Sequence, residues 1–417
     1  MSAITVNGGQ KLSGVIQLQG AKNSALPILA GTVLCRGECE IHNCPELSDV
    51  HAAIAILKHL GVRVQRQGTV LCVNARVVSK ANIPDELMRE MRSSIVFLGA
   101  IAARTGQATL SSPGGCELGP RPIDLHLAAL RELGLTIEEE QGSLQCRCEK
   151  GLTGAEITLS FPSVGATENV ILAAATAKGK TLLHNPAREP EIIDLCNFLN
   201  ACGAEIAGAG TDLIEINGVP ELHGAVHKVI PDRIVAATYL AAAAVTGSRL
   251  LLKDVVPQHL LPVLSVLKNA GCAVQSRPGE VLLSAPERLG RVPVLRTLPY
   301  PGFPTDAGPP IIAMLSAAQG CSMFIENIFE NRYKFTDELN RFGADVRTNA
   351  RVAVINGVPR LYPAKVECTD LRGGAAMLVA ALAAKGCSTV EKAEHIYRGY
   401  EQVCETLQSV GAQISAN

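Results

Sequence analysis

Apolar positions along the chain fall into short runs of two kinds. Ala- and Leu-rich stretches of about ten residues, such as 95–103 (IVFLGAIAA) and 236–245 (AATYLAAAAV), suit helices buried on most sides. Shorter β-branched runs such as 387–393 (CSTVEKA) suit strands. The two kinds alternate in register with glycine. A pattern Leu-x-x-x-Gly-x-x-Val/Ile recurs as LKHLGVRV, LRELGLTI, LNACGAEI, LKNAGCAV, LNRFGADV and LQSVGAQI. Its glycines, 61, 134, 203, 271, 343 and 411, are spaced 73, 69, 68, 72 and 68 residues apart. A second pattern, an Ala-rich run ending in Gly before a β-like run, marks Gly37, Gly106, Gly179, Gly247, Gly320 and Gly386 in the same order.

Two independent marks in phase six times define a sixfold repeat of about 70 residues. Each copy reads as roughly βαβαββ, with Gly expected as the left-handed C-cap of each helix. One such unit cannot bury both faces of its sheet. The copies are therefore expected to group three and three around two cores: residues 21–229, and residues 1–20 with 230–417. The N-terminal strand would complete the second group. The fold class is α/β, with two domains of three repeats.

Composition narrows the function. Lys+Arg total 38 against Asp+Glu 39, Trp is absent, and Phe and Tyr number 8 and 6. That leaves neither the basic excess of a duplex binder nor the aromatics of a base-stacking platform, so nucleic acid is not an expected partner. No apolar run approaches the roughly 20 residues of a bilayer span, and the N-terminus lacks signal-peptide character. A soluble, cytoplasmic protein is expected, without membrane insertion. The 14 cysteines form no CxxC pair with zinc-finger spacing. Most, including Cys196, Cys202, Cys272, Cys321 and Cys387, lie in aliphatic runs and are expected to be buried reduced thiols. No metal and no cofactor is expected.

Several polar motifs interrupt the repeat. Gly20-Ala21-Lys22-Asn23-Ser24 sets a cation and an amide at the start of an Ala-rich helix, where free N–H groups favour an anion. Ser112 to Pro122 (SPGGCELGPRP) holds three Gly and three Pro in eleven residues and specifies an irregular loop. A thiol there, Cys116, is not a core residue, and Arg121 nearby favours its thiolate. Pro301 to Asp306 (PGFPTD) is a stiff turn carrying a carboxylate, whose plainest role is to cap the helix starting near Ala307. Asp370 and Arg372 precede the last Ala-rich helix, and Arg398 closes HIYR; arginine suits a bidentate grip on phosphate or carboxylate, although surface ion pairing is the alternative.

Together these motifs resemble the enolpyruvyl transferases, in particular those of peptidoglycan synthesis. The resemblance runs the length of the chain: GAKNSALP, MRSSI, PGGCELGPRPIDLH, SVGATEN, NPAREPEIIDL, PDRI, PGFPTDA, ENIFENR, DLRGGAA and HIYRGYE occur in order. It implies a two-domain inside-out α/β barrel with the active site in the cleft between domains. The implied activity is transfer of the enolpyruvyl group of phosphoenolpyruvate to the 3′-hydroxyl of UDP-N-acetylglucosamine, with release of phosphate. By resemblance, Cys116 would be the proton donor and adduct-forming thiol. Lys22, Arg121 and Arg398 would hold phosphate and carboxylate, and Asp306 would act on the sugar hydroxyl. Asn23, Arg92, Arg121, Pro122, Ile123, Asp124, Leu125, Ser163, Val164, Gly165 and Ile328 would position the nucleotide sugar. Asp370 and Arg372 would complete the phosphoenolpyruvate side. The resemblance further implies alkylation of Cys116 by an epoxide such as fosfomycin.

Four positions depart from the family pattern: Ser48 and Phe161 where Lys is common, and Pro309-Pro310 in place of a Gln-containing stretch. They leave open an enolpyruvyl transferase with another acceptor, or a non-catalytic copy that binds nucleotide sugar. The RNA-end cyclases, which share related repeats, are disfavoured by the charge balance.

Overall fold

The computed structural model describes residues 2–111, 123–140 and 142–416, with the backbone alone for Arg92. The described residues form six four-stranded sheets. The third repeat of the first half shows the plan. Strand Glu156–Thr158 runs parallel to Lys180–His184, which pairs antiparallel with Leu213–Asn217, which pairs antiparallel with Glu205–Ala207. Helix Val164–Ala174 makes the parallel crossover and helix Pro190–Ala201 precedes the hairpin. This is βαβαββ, and the same strand order recurs in the other sheets.

The chain separates into two compact units. One joins Met1–Gln19 to Pro231–Asn417, and the other holds the described residues from Gly20 to Ile230. Each has its own apolar core. The second unit closes on itself: its first sheet takes its parallel edge strand, Val226–Lys228, from the unit's far end. The N-terminal segment supplies two strands rather than the single one expected. Ala3–Gly8 inserts between Gly386–Glu391 and Gln413–Ala416, and Ser13–Gln17 lies parallel to Arg249–Val255 in another sheet.

In each unit the Ala-rich crossover helices lie inside and the sheets outside. Helices Arg233–Val245, Gly308–Leu315 and Leu371–Ala383 pack on one another and are buried along nearly their whole length. In the other unit, helix Phe97–Thr105 packs on Val164–Ala174 and on Lys22–Thr32. Small side chains permit this close approach, so a core with few aromatics suffices. Each second helix of a repeat instead keeps one face exposed, as in Ser48–His59 and Asp124–Glu132. Among the described residues no helix is long and apolar enough to cross a membrane.

The first set of six glycines all have positive φ, from +81° at Gly343 to +99° at Gly203. Each stands just past the C-cap of the second helix of its repeat. At Gly61 the closing bonds are those of a Schellman motif: Gly61 N–H to the Lys58 carbonyl and Val62 N–H to the Leu57 carbonyl, both 3.0 Å. The second set was expected to do the same for the crossover helices and does so at Gly106 and at Gly247, where φ is +62° and the Gly247 and Ser248 N–H groups bond to the Ala244 and Ala243 carbonyls. Elsewhere the helix stops earlier: Val164–Ala174 ends five residues before Gly179, and the glycine stands at the entry to the strand. Gly37 does not adopt positive φ at all. A Cβ there would meet the Gly224 nitrogen at 2.7 Å, so close backbone approach is what requires glycine. Cys196, Cys202 and Cys272 are buried as expected, but Cys321 and Cys387 are exposed. Both lie on the outward phase of outer-sheet strands, where alternation overrides local hydrophobicity.

Candidate active site

The candidate residues gather at the N-terminal ends of the interior helices. Lys22 and Asn23 open helix Lys22–Thr32, Arg92 opens the turn leading into Phe97–Thr105, and Ser163 caps Val164–Ala174. In the other unit, Asp306 lies in the turn before Gly308–Leu315, and Asp370 caps Leu371–Ala383. Helix N-termini present free N–H groups and the positive end of the peptide dipoles, so this placement favours anionic substrates in both units.

In the unit from Gly20 to Ile230, Lys22 is not solvated. Its Nζ lies 3.0 Å from Asp49 Oδ2, with side chains 11% and 4% exposed. Pro27 inside the same helix has no N–H to offer the Asn23 carbonyl, which loosens the first turn. Ser24, one residue on, donates to Asp194, which also takes His227 Nε2 at 3.0 Å and the Ile230 N–H at 3.2 Å. That network fixes the helix end carrying Lys22. Ser48, exposed, is the neighbour of Asp49, and Phe161 is 43% exposed.

A second network, invisible in the sequence, joins three candidate segments. Buried Asn169 donates from Nδ2 to the Ile95 carbonyl at 3.0 Å and to His126 Nδ1 at 2.8 Å, and its Oδ1 accepts the Gly99 N–H at 2.8 Å. His126 directly follows Ile123, Asp124 and Leu125, and a Cβ on Gly165 would lie 2.8 Å from its ring. The Arg92 turn, the Ile123–Leu125 segment and Ser163–Gly165 are thus held around one His–Asn pair. Burial lowers the His126 pKa to about 4, with Asp124 opposing, so the ring is neutral and accepts at Nδ1. Cys116, Arg121 and Pro122 lie outside the described residues.

In the other unit Asp306 does not simply cap a helix. Its Oδ1 accepts from Arg332 Nη2 at 2.8 Å and its Oδ2 from Arg372 at 3.3 Å, both arginines being nearly inaccessible. Burial disfavours the Arg372 charge, but Tyr400 and Asp306 outweigh it and raise the pKa. Arg372 Nη1 also donates to Tyr400 Oη at 3.2 Å, which in turn meets Thr238 at 2.8 Å. Asp370 accepts the Arg372 and Gly373 N–H groups at 2.9 and 3.0 Å and so fixes that helix end. Arg398 is half-buried two residues before Tyr400, at the end of the turn Ala393–Arg398.

Arg332 and Glu326 escaped sequence reasoning, although both lie in the ENIFENR stretch. Fully buried Glu326 accepts the Ile328 N–H at 2.7 Å and the Thr297 and Thr305 hydroxyls at 2.9 Å each. It therefore holds Ile328 and the Asp306 turn in one frame. Arg332 Nε and Nη1 are buried with no hydrogen-bond partner among the described residues. Pro309 and Pro310 fall in the first turn of Gly308–Leu315, where a missing N–H breaks no intrahelical bond.

Residues 6–407 match the family described as EPSP synthase (3-phosphoshikimate 1-carboxyvinyltransferase). The chain belongs to the EPSP synthase family. Within this family it is 50% identical over 414 residues to a protein of Caldanaerobacter subterraneus subsp. tengcongensis named UDP-N-acetylglucosamine 1-carboxyvinyltransferase 2, covering 99% of each chain. A Carboxydothermus hydrogenoformans protein named UDP-N-acetylglucosamine 1-carboxyvinyltransferase 1 is 47% identical over 99% of this chain and 98% of its own. Among solved structures, the enolpyruvyl transferase NikO from Streptomyces tendae superposes with a TM-score of 0.90 at 26% identity, over 100% of this chain and 99% of its own. EPSP synthase from Acinetobacter baumannii shares the fold, with a TM-score of 0.76 at 18% identity over the full length of both chains. The fold is that of the enolpyruvyl transferases.

Proposed function

We propose that this EPSP-synthase-family chain transfers the enolpyruvyl group of phosphoenolpyruvate to the 3′-hydroxyl of UDP-N-acetylglucosamine and releases phosphate, the first committed step of peptidoglycan synthesis, in the cytoplasm. The observation that carries this reading is full-length identity of 47–50% to proteins named for that activity. The site chemistry supports it. Lys22, Arg121 and Arg398 supply cations for phosphate and carboxylate through charge-assisted hydrogen bonds. Asp306, gripped by Arg332 and Arg372, is a fixed acceptor for the sugar hydroxyl, and Cys116 protonates the enol methylene. Asn23, Arg92, the Arg121–Leu125 stretch, Ser163–Gly165 and Ile328 position the nucleotide sugar, while Asp370 and Arg372 serve the phosphoenolpyruvate side.

Phosphoenolpyruvate and UDP-N-acetylglucosamine incubated with the protein are expected to give a product heavier than the nucleotide sugar by one enolpyruvyl group. Cys116→Ala should give none. Unchanged nucleotide sugar with folded wild-type protein would turn the assignment toward another acceptor. The family's own description, which names 3-phosphoshikimate, is the observation behind that second reading.

A further inference from the structure

Three cysteines far apart in sequence converge within one unit. Cys35 follows helix Lys22–Thr32, Cys39 lies in strand Glu38–His42, and Cys202 is the C-cap of helix Pro190–Ala201. All three residues are 0% exposed, and their sulfurs lie within 4.8 Å of one another. Three sulfurs brought this close offer one concave set of soft donors.

The spacing suits a metal. With metal–sulfur bonds of about 2.3 Å, sulfurs lie about 3.8 Å apart in a tetrahedral site and about 4.0 Å apart in a trigonal one. Each pair here needs to close by less than about 1 Å. The backbone frame is already built. The Arg36 and Glu40 N–H groups bond to the Leu222 and Ala225 carbonyls at 2.8 and 2.9 Å, and the His223 N–H bonds to the Cys202 carbonyl at 2.9 Å. One strap, residues 222–225, therefore ties all three cysteine segments together. Gly37 and Gly224 permit its close approach.

We propose that Cys35, Cys39 and Cys202 form a three-sulfur site for a thiophilic d10 metal ion, Cu(I) being the ion that fits. Among the described residues no fourth His, Cys, Asp or Glu atom joins the group. Closed structural Zn(II) sites take four ligands, whereas soft all-sulfur sets select Cu(I), which accepts three. On binding, Cu(I) forms three Cu–S bonds, the three S–H bonds break with their protons passing to solvent, and no electron moves. Arg104 lies within electrostatic reach of Cys35 and offsets part of the added negative charge.

The test uses full-length, reduced, metal-free Cys116→Ala protein, which removes the loop thiol as a competing ligand. Cu(I) is supplied anaerobically from a coloured chelator of known affinity. One equivalent should transfer, and the further substitutions Cys39→Ala and Cys202→Ala should each weaken retention by about a hundredfold or more. Equal retention in those variants, or none in the parent, overturns the site. A measurement on the parent alone guards against misfolded variants: copper X-ray absorption should show three sulfur neighbours at about 2.3 Å. A shell containing nitrogen or oxygen contradicts the proposal.

Discussion

His126 gives the sharpest quantitative handle on the network that gathers the candidate sugar-binding segments. Its pKa falls from 6.5 to about 4 because the ring is buried, with Asp124 opposing, and the neutral Nδ1 accepts from Asn169. Between those two values the unfolded chain binds more protons than the native one, so stability rises with pH there. The contribution is fully present above about pH 6.5 and is lost as the pH falls toward 4. A difference of roughly 2.5 pKa units corresponds to about 3 kcal/mol. His126→Asn places an amide oxygen near the position of Nδ1, keeps the acceptor for Asn169 and removes the titration. Urea unfolding of both proteins at pH 7 and pH 4.5 isolates the effect. Wild type should lose about 2–3 kcal/mol more than the variant over that interval. Fully buried Glu168 has its pKa raised by burial and then by Glu191 and Glu189, the opposite sense, but it is common to both proteins and cancels. Equal losses, within about 0.5 kcal/mol, would refute a buried neutral His126.

Other outcomes follow from the same geometry. Asp306→Asn strands two nearly inaccessible guanidiniums, so it should cost about 3–5 kcal/mol in denaturant unfolding and lower kcat at least tenfold; a variant as stable as wild type would refute the buried-pair reading. Lys22→Gln should reduce kcat/KM for phosphoenolpyruvate about 10- to 150-fold, the worth of a charge-assisted hydrogen bond, while UDP-N-acetylglucosamine binding measured by calorimetry changes little. Gly411→Ala, at φ +98° with no atom closer than 3.7 Å to the added Cβ, should cost about 1–2 kcal/mol from backbone strain alone, seen as a shift in the urea midpoint. Fosfomycin should add to Cys116, detected as a mass increase on the peptide that contains it, and Cys116→Asp should resist inhibition.

The repeat was legible because its requirement is local. A residue just past a helix C-cap must adopt positive φ, and glycine does so six times in phase. The second glycine mark held at Gly106 and Gly247 and failed at the other four, because a helix end and a strand entry a few residues later look alike in sequence. The positions of the candidate residues at helix starts were likewise local, written in GAKNS, SVGA and TDLRGG. The partners of these residues were not. Asp49 for Lys22, Asn169 for His126, and Arg332 for Asp306 are separated by 27, 43 and 26 positions and meet only once the crossovers are folded. The cysteine cluster hid for the same reason, since Cys202 joins Cys35 and Cys39 from two repeats away. Cys321 and Cys387 were misjudged because one exposed position in a short strand is set by the sheet face, not by its neighbours.

Phosphate release from phosphoenolpyruvate, measured with UDP-N-acetylglucosamine, with shikimate 3-phosphate and with neither, decides the reaction and its acceptor. Release that depends on UDP-N-acetylglucosamine, and is absent with shikimate 3-phosphate and in Cys116→Ala, is the predicted result. Release with shikimate 3-phosphate instead, or none from folded protein with either acceptor, would contradict it.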